Sequence, residues 1–232
     1  MHRRCTDLIV ALRFQSILFL ALLAAFLAVA KASSPDTADP SRHPVILVHG
    51  IGDNGRTMNW MGRRLRAAGW EVHSVTLKPN LGQIGIDEMA EQVAAFIDQT
   101  VPRGARIDLV GFSMGGLVSR YYVQRLGGFR RVDHFVSISA PHHGTILACL
   151  VPDPACRQMR PGSDFLRDLA GDADRLGCVR CTSLWTPLDL TIIPASSSVL
   201  PVGNSQRIWC LAHPLMIRSS NSLRAVEAAL RG

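Results

Sequence analysis

The chain has 232 residues, enough for one domain with a substantial core and too few for two comfortable ones. Hydrophobic residues make up 47% and charged residues 19%, which excludes a disordered chain. The formal charge of +7 comes with no basic run interleaved with aromatics, so nucleic acid is not an expected partner.

The N-terminus opens with Arg3, Arg4 and Arg13 against one acid, Asp7. An apolar stretch from Ile17 to Ala30 follows, then Ala30-Lys31-Ala32 and the polar Ser33-Ser34-Pro35-Asp36. That layout predicts a secretory signal peptide over residues 1–32, cleaved after Ala32, and export to the periplasm or the medium. The apolar run of 14 residues falls short of the roughly 20 that a spanning helix needs, which disfavours an uncleaved anchor. Cleavage would leave 200 residues at a formal charge of +4. That charge reads as a solvated Arg-rich surface, with anionic lipid as the alternative.

Residues 33–42 are polar, contain two prolines and read as a linker to a domain over 43–232. Pro44 to Val48 is a continuous apolar run, as a strand buried on both faces of a parallel sheet requires. Residues 57–68 place Trp60, Met61, Leu65 and Ala68 at helical spacing, and Trp70 to Leu77 alternates as a strand does. Asp87 is the expected cap of a helix with Met89, Val93, Phe96 and Ile97 inward. Ile107 to Val110 is the third strand, 115–126 a helix and Val132 to Ile138 the fourth strand. From Ala140 to Cys181 the pattern is irregular, with four prolines and a short helix at 164–170. A connection this long (141–181) suggests a lid or pocket loop. Thr182 to Trp185 and Arg207 to Leu211 are the fifth and sixth strands, and a helix over 220–230 closes the chain. The alternation predicts an α/β fold with a mainly parallel six-stranded sheet and helices on both faces.

Gly111-Phe112-Ser113-Met114-Gly115 falls between the third strand and the following helix. In that context a G-x-S-x-G pentapeptide is a sharp turn that lifts a serine above the sheet edge, with a helix N-terminus behind it. Ser113 is the candidate nucleophile. A serine hydroxyl needs a base. Of eight histidines, His213 alone lies in the C-terminal third, just after the last strand. The base needs an acid, and in this kind of sheet the chain order is serine, acid, histidine. The acids between Ser113 and His213 are all aspartates. Asp189 alone directly follows a strand and has an apolar flank, and Asp164 is the alternative. The expected oxyanion donors are the backbone N–H groups of Ile51, in His49-Gly50-Ile51-Gly52, and of Met114. His49 is expected to be structural.

Five cysteines follow the signal. Cys149 and Cys156 close a short loop and are the expected disulfide. Cys178-Val-Arg-Cys181 lacks a second CxxC or a spaced His pair, so neither zinc nor redox chemistry is expected of it. A structural disulfide or buried thiols fit it better, and Cys210 reads as a small buried hydrophobe.

With these residues in place, the chain from Pro44 to Leu230 resembles small secreted bacterial lipases and esterases of the α/β-hydrolase superfamily. The resemblance rests on Val45-Ile46-Leu47-Val48-His49-Gly50-Ile51-Gly52, on Val110 to Gly116 and on Ser139-Ala140-Pro141-His142-His143-Gly144-Thr145. It implies hydrolysis of carboxylic esters, with triacylglycerols or shorter acyl esters as substrates, no cofactor, and transient contact with lipid surfaces. It also implies a sheet without the first strands of larger hydrolases. Minimal lipases of this kind can lack a lid, and residues 141–181 depart from that. An acyltransferase or a phospholipase would use the same triad. A non-catalytic binding protein on this scaffold is the remaining alternative.

Overall fold

The computed structural model describes residues 38–232. The expected signal peptide, and the linker up to residue 37, lie outside the described residues. The strands are β1 (Val45–Val48), β2 (Val72–Ser74), β3 (Ile107–Phe112), β4 (Val132–Ile138), β5 (Arg180–Trp185) and β6 (Asn204–Arg207). They form one sheet in the order β2-β1-β3-β4-β5-β6. Every neighbouring pair is parallel. The α-helices among the described residues are α1 (Asn59–Ala67), α2 (Ile86–Thr100), α3 (Met114–Arg125), α4 (Pro154–Gln158), α5 (Asp164–Gly171) and α6 (Ser220–Ala229).

Side chains alternate across a strand, and that splits the core in two. Val45 and Leu47 face the side of Met61, Leu65, Leu223 and Val226, so α1 and α6 cover one face. Ile46 and Val48 face the side of Met89, Val93, Leu117 and Val118, so α2 and α3 cover the other. β1 and β3 are buried along their whole length, β1 as its continuous apolar run requires and β3 with Asp108 buried among its apolar residues. Since all strands run the same way, their C-terminal ends share one edge. The chain turns to opposite sides after β1, and in open α/β sheets the crevice at such a switch point is where sites form.

Three expectations on the sheet and its helices are corrected. The sixth strand is Asn204–Arg207, not Arg207 to Leu211. The ladder ends where Ile208 N donates to Trp185 O (2.7 Å). Beyond it the chain leaves the sheet still extended, with Ile208 and Cys210 buried and Trp209 and Leu211 exposed. That produces the same alternation without a partner strand. β6 itself is fully exposed and polar, which suits an edge. The second strand pairs only over Val72–Ser74. Finally, Asp87 does not cap α2. Gly85 is the N-cap, its N–H donates to Glu88 Oε1 (3.0 Å), and Asp87 sits in the first turn accepting from Gln158 (2.8 Å).

The long connection is several short pieces. Leu166 and Leu169 of α5 belong to the core. Arg120 and Gln124 of α3 both donate to Leu169 O, at 3.0 and 2.9 Å. α5 is thereby pinned to α3, which fits a wall rather than a moving lid. Arg120 is itself buried, and its other donors go to Gln124 and to the carbonyl of His142. Burial pulls its pKa down to about 10.

The expected Cys149–Cys156 disulfide is not formed. Cys149 lies exposed on a 3₁₀ turn and Cys156 is on the buried side of α4. Cys178 and Cys181 are also free thiols. Burial pushes the Cys181 thiol up to about 12, which removes it from thiolate chemistry. Cys210 is buried, as expected.

Candidate active site

The turn after β3 is built by its glycines. Ser113 has φ 54° and ψ −127°, a left-handed conformation costing on the order of 1–3 kcal/mol for a residue with a side chain. It is held there from both sides. Ser113 N donates to Ile138 O and Gly116 N donates to Ser113 O, both at 2.9 Å. A β-carbon on Gly111 would lie 2.6 Å from Gly115 O. One on Gly115 would run into the carbonyl oxygens of Val48 and His49, and one on Gly116 into Ala140. So α3 can start directly under the serine only because all three are glycine.

The structure brings Ser113, His213 and Asp189 together as the sequence predicts. His213 Nε2 is 2.9 Å from Ser113 Oγ and His213 Nδ1 is 2.8 Å from Asp189 Oδ2. With Nδ1 donating to the carboxylate, Nε2 is left to accept from the serine O–H. The Phe112 ring, 4.9 Å from the imidazole, backs it. Asp189 is buried and uses both oxygens, because Oδ1 accepts from the amides of Thr191 and Ile192, each at 2.9 Å. Burial alone would raise this carboxyl. The bond from His213, the His213 charge and the two amides outweigh burial and hold it below the usual carboxylate range. Asp164, the alternative acid, is exposed on α5 and pairs with Arg167.

Thr186 was not singled out from sequence. Its hydroxyl donates to Cys210 O (2.7 Å) and accepts from Leu188 N (3.3 Å). It thereby clamps the loop carrying Asp189 to the loop carrying His213. A buried threonine after a strand carries no sequence mark of that role.

The two expected oxyanion donors lie on segments that adjoin the serine. A β-carbon on Gly50 would lie 3.0 Å from Ser113 Cβ, so the loop after β1 runs against the serine. Met114 N is a first-turn amide of α3, which has no carbonyl of its own helix to bind. His49 is buried and structural, and its contacts show how. Its Nδ1 is 2.8 Å from Gly50 O, and its Nε2 accepts from Leu77 N (3.0 Å). The Gly50–Ile51 peptide is planar, so holding the Gly50 carbonyl fixes where the Ile51 N–H points. Burial lowers the His49 pKa against the opposing effects of Gly50 O and Asp53, and the ring must be neutral to accept from Leu77.

A second buried histidine lies under the site. His142 Nε2 is 2.6 Å from Ser137 Oγ. Burial, with the charges of Arg120 and His143 adding to it, holds its pKa well below the usual imidazole range. Below about pH 6.5 the unfolded chain therefore takes up a proton that folded His142 refuses, so stability falls as the solution is acidified. His49 acts with the same sign. The urea midpoint is expected to drop between pH 7 and pH 5, and His142→Asn, although less stable at pH 7, should show a flatter profile. An equally steep profile in that variant would remove His142 from the explanation.

The comparisons with known proteins bear on the family and the fold. The palmitoyl protein thioesterase family matches over residues 44–173. A triacylglycerol lipase of Burkholderia plantarii is 31% identical over 130 residues, covering 53% of this chain and 36% of that one. The human lysosomal thioesterase PPT2 is 30% identical over 131 residues, covering 53% of this chain and 42% of that one. The chain thus spans well under half the length of these relatives. Among solved structures, the mature Bacillus licheniformis lipase BlEst2 superposes with a TM-score of 0.73 at 16% identity, covering 85% of this chain and 96% of that one. Aspergillus fumigatus lipase B gives 0.74 at 22% identity, covering 86% and 55%. The fold is that of the α/β-hydrolase lipases and esterases.

Proposed function

Because the chain belongs to the palmitoyl protein thioesterase family, we propose that it hydrolyses acyl esters in two steps through an acyl-enzyme on Ser113. The observation that carries this reading is the unbroken relay Ser113–His213–Asp189, at 2.9 and 2.8 Å, beneath a strained turn. His213 Nε2 takes the hydroxyl proton as Oγ attacks the ester carbonyl. The tetrahedral oxyanion is met by the N–H groups of Ile51 and Met114. Each such donor is typically worth about 3–4 kcal/mol in the transition state. Asp189 keeps the imidazolium oriented while it hands the proton to the leaving group. Water then repeats the cycle on the acyl-enzyme and frees the acid. Nucleophile, base and donors all come from the chain itself. Nothing would require a merely binding scaffold to hold these three side chains in line.

The rim of the site suggests the substrate class. Leu188 and Leu190 flank Asp189, Leu211 and Leu215 flank His213, and Ile51 stands beside the nucleophile; all five are exposed. Exposed apolar side chains on the very loops that carry a site point to an apolar ligand or surface. Lipid esters with long acyl chains suit that rim, in line with the names of the lipase relatives. An acyl thioester is the second reading, favoured by the family match, and differs only in its leaving group. Specificity is expected to rise with acyl length. Each buried methylene contributes up to about 0.8 kcal/mol, which is roughly fourfold in kcat/KM. Measured on p-nitrophenyl esters from acetate to palmitate, with matched S-acyl thioesters alongside, kcat/KM should climb from two to at least eight carbons. Leu190→Ser should cost the long esters several-fold and leave acetate nearly unchanged. A profile that peaks at acetate would contradict the lipid reading.

A further inference from the structure

At the edge of the sheet opposite Ser113, four side chains with no part in ester chemistry converge. His43 precedes β1, Asp108 lies near the start of β3, and Asp133 and His134 lie near the start of β4. His43 Nδ1 is 3.7 Å from Asp108 Oδ1 and 3.5 Å from Asp133 Oδ2. His134 Nδ1 is 2.8 Å from Asp108 Oδ1 and 3.5 Å from Asp133 Oδ2. All four atoms lie within 4.8 Å of one another. Five residues of strand, about 17 Å, separate Asp108 from Ser113.

Successive strand residues normally point to opposite faces, so Asp133 and His134 should not meet. They do because the β3–β4 ladder is irregular there. Ile107 pairs with Val132 but Leu109 pairs with Phe135, which leaves one extra residue in β4. A bulge of this kind re-aims side chains and is a common device next to functional sites. Here it turns an aspartate and a histidine into the same space.

We propose that His43, Asp108, Asp133 and His134 form a structural zinc site. Two imidazole nitrogens and two carboxylate oxygens are a zinc ligand set. At metal–ligand bonds of about 2.0–2.2 Å, tetrahedral ligand atoms lie roughly 3.3–3.5 Å apart. The four separations above, from 2.8 to 3.7 Å, bracket that value. Nitrogen ligands disfavour calcium and magnesium, which take oxygen. The carboxylates are already oriented from behind. Asp108 Oδ1 accepts from the His134 backbone N–H (3.1 Å) and Asp133 Oδ1 accepts from Arg106 (2.7 Å). Without metal, His134 Nδ1 carries the proton and donates to Asp108 Oδ1 (2.8 Å), so zinc would replace that proton, while Nε2, which has no partner among the described residues, is free to take one up. A cavity of about 280 Å³ reaches the cluster, bordered also by Arg42 and Arg180. Arg180 donates to Asp133 Oδ2, the oxygen that zinc needs, and its side chain is 57% exposed. It is therefore a competitor that can swing away. Zinc bound here would tie the starts of β1, β3 and β4 together.

The test is thermal unfolding and zinc stoichiometry of the full chain after stripping with EDTA. One zinc ion per chain is expected to bind and to raise Tm by several degrees, reversibly to EDTA, with no rise from calcium or magnesium. His43→Gln and Asp133→Asn should each weaken zinc binding at least tenfold. Arg180→Ala should tighten it. Hydrolysis of short esters at 25 °C should be unchanged in all three variants. A rise equal with calcium, a zinc response untouched by His43→Gln, or one abolished by removing the exposed thiols of Cys149 and Cys178 would overturn the site. So would the absence of stoichiometric zinc.

Discussion

Ser113→Ala is expected to lower kcat for p-nitrophenyl esters by roughly 10⁴- to 10⁶-fold and to leave the unfolding midpoint almost unmoved. The activity loss follows from the relay, since Ser113 Oγ is the hydroxyl that His213 Nε2 meets, at 2.9 Å. Residual catalysis would come from the Ile51 and Met114 amides and from binding alone. The stability result follows from the backbone. At φ 54° an alanine is as strained as a serine, so the substitution relieves nothing. Ser113→Gly makes the complementary case. Glycine adopts that conformation freely and should recover part of the roughly 1–3 kcal/mol of strain, less its own entropy cost, while activity is lost equally. A glycine variant clearly less stable than the alanine variant would mean that the turn is not strained as described. Retained activity in either would remove Ser113 from the chemistry.

Gly115→Ala carries the largest expected structural penalty. The added methyl would point at the carbonyl oxygens of Val48 and His49. Those carbonyls belong to the end of β1 and to the turn that carries Ile51. Val48 pairs with Gly111 in the sheet, so neither side can yield without opening the ladder. Overpacking against movable side chains costs about 1–3 kcal/mol, and fixed backbone should push this to about 3 kcal/mol or more. For a domain of this size that is a fall in Tm of roughly 10 °C, read by calorimetry. The same shift would carry Met114 N and Ile51 N apart, so any protein that folds should lose kcat more than it raises KM. Gly127→Ala is the control. That glycine has nothing near its would-be β-carbon and only a positive φ of 80° to lose. Its cost should be smaller and leave kcat alone.

Much of the fold is legible in the residues because parallel strands announce themselves. Pro44 to Val48 is apolar without alternation, which only burial on both faces accounts for, and Ile107 to Val110 and Val132 to Ile138 are mostly apolar runs interrupted near their starts by Asp108, Asp133 and His134. The candidate site is legible for a topological reason. With all strands parallel, whatever follows a strand starts from the Ser113 edge, so Asp189 can be found by position, whereas His213 is found as the histidine of the C-terminal third, six positions beyond the true end of β6 at Arg207. Features that depend on direction rather than order are not legible. The exit from the sheet at Ile208 to Leu211 alternates just as a paired strand would. The bulge at Asp133 and His134 changes register by one residue and leaves no mark in composition. Cys149 and Cys156 are close in sequence, yet one is exposed and the other buried. His49 reads as a structural residue, but its grip on the Gly50–Ile51 peptide needs three dimensions to be seen. His43, Asp108, Asp133 and His134 are scattered between positions 43 and 134 and meet only when the strand starts are aligned.

The measurement that bears most directly on the central claim is covalent trapping. A fluorophosphonate added to the folded protein should label it once, and peptide mass spectrometry should place the adduct on Ser113. Labelling should vanish in Ser113→Ala and slow by orders of magnitude in His213→Ala, whose fold is otherwise kept. An adduct on any other residue, or undiminished labelling without His213, would contradict a nucleophile at Ser113 activated by His213.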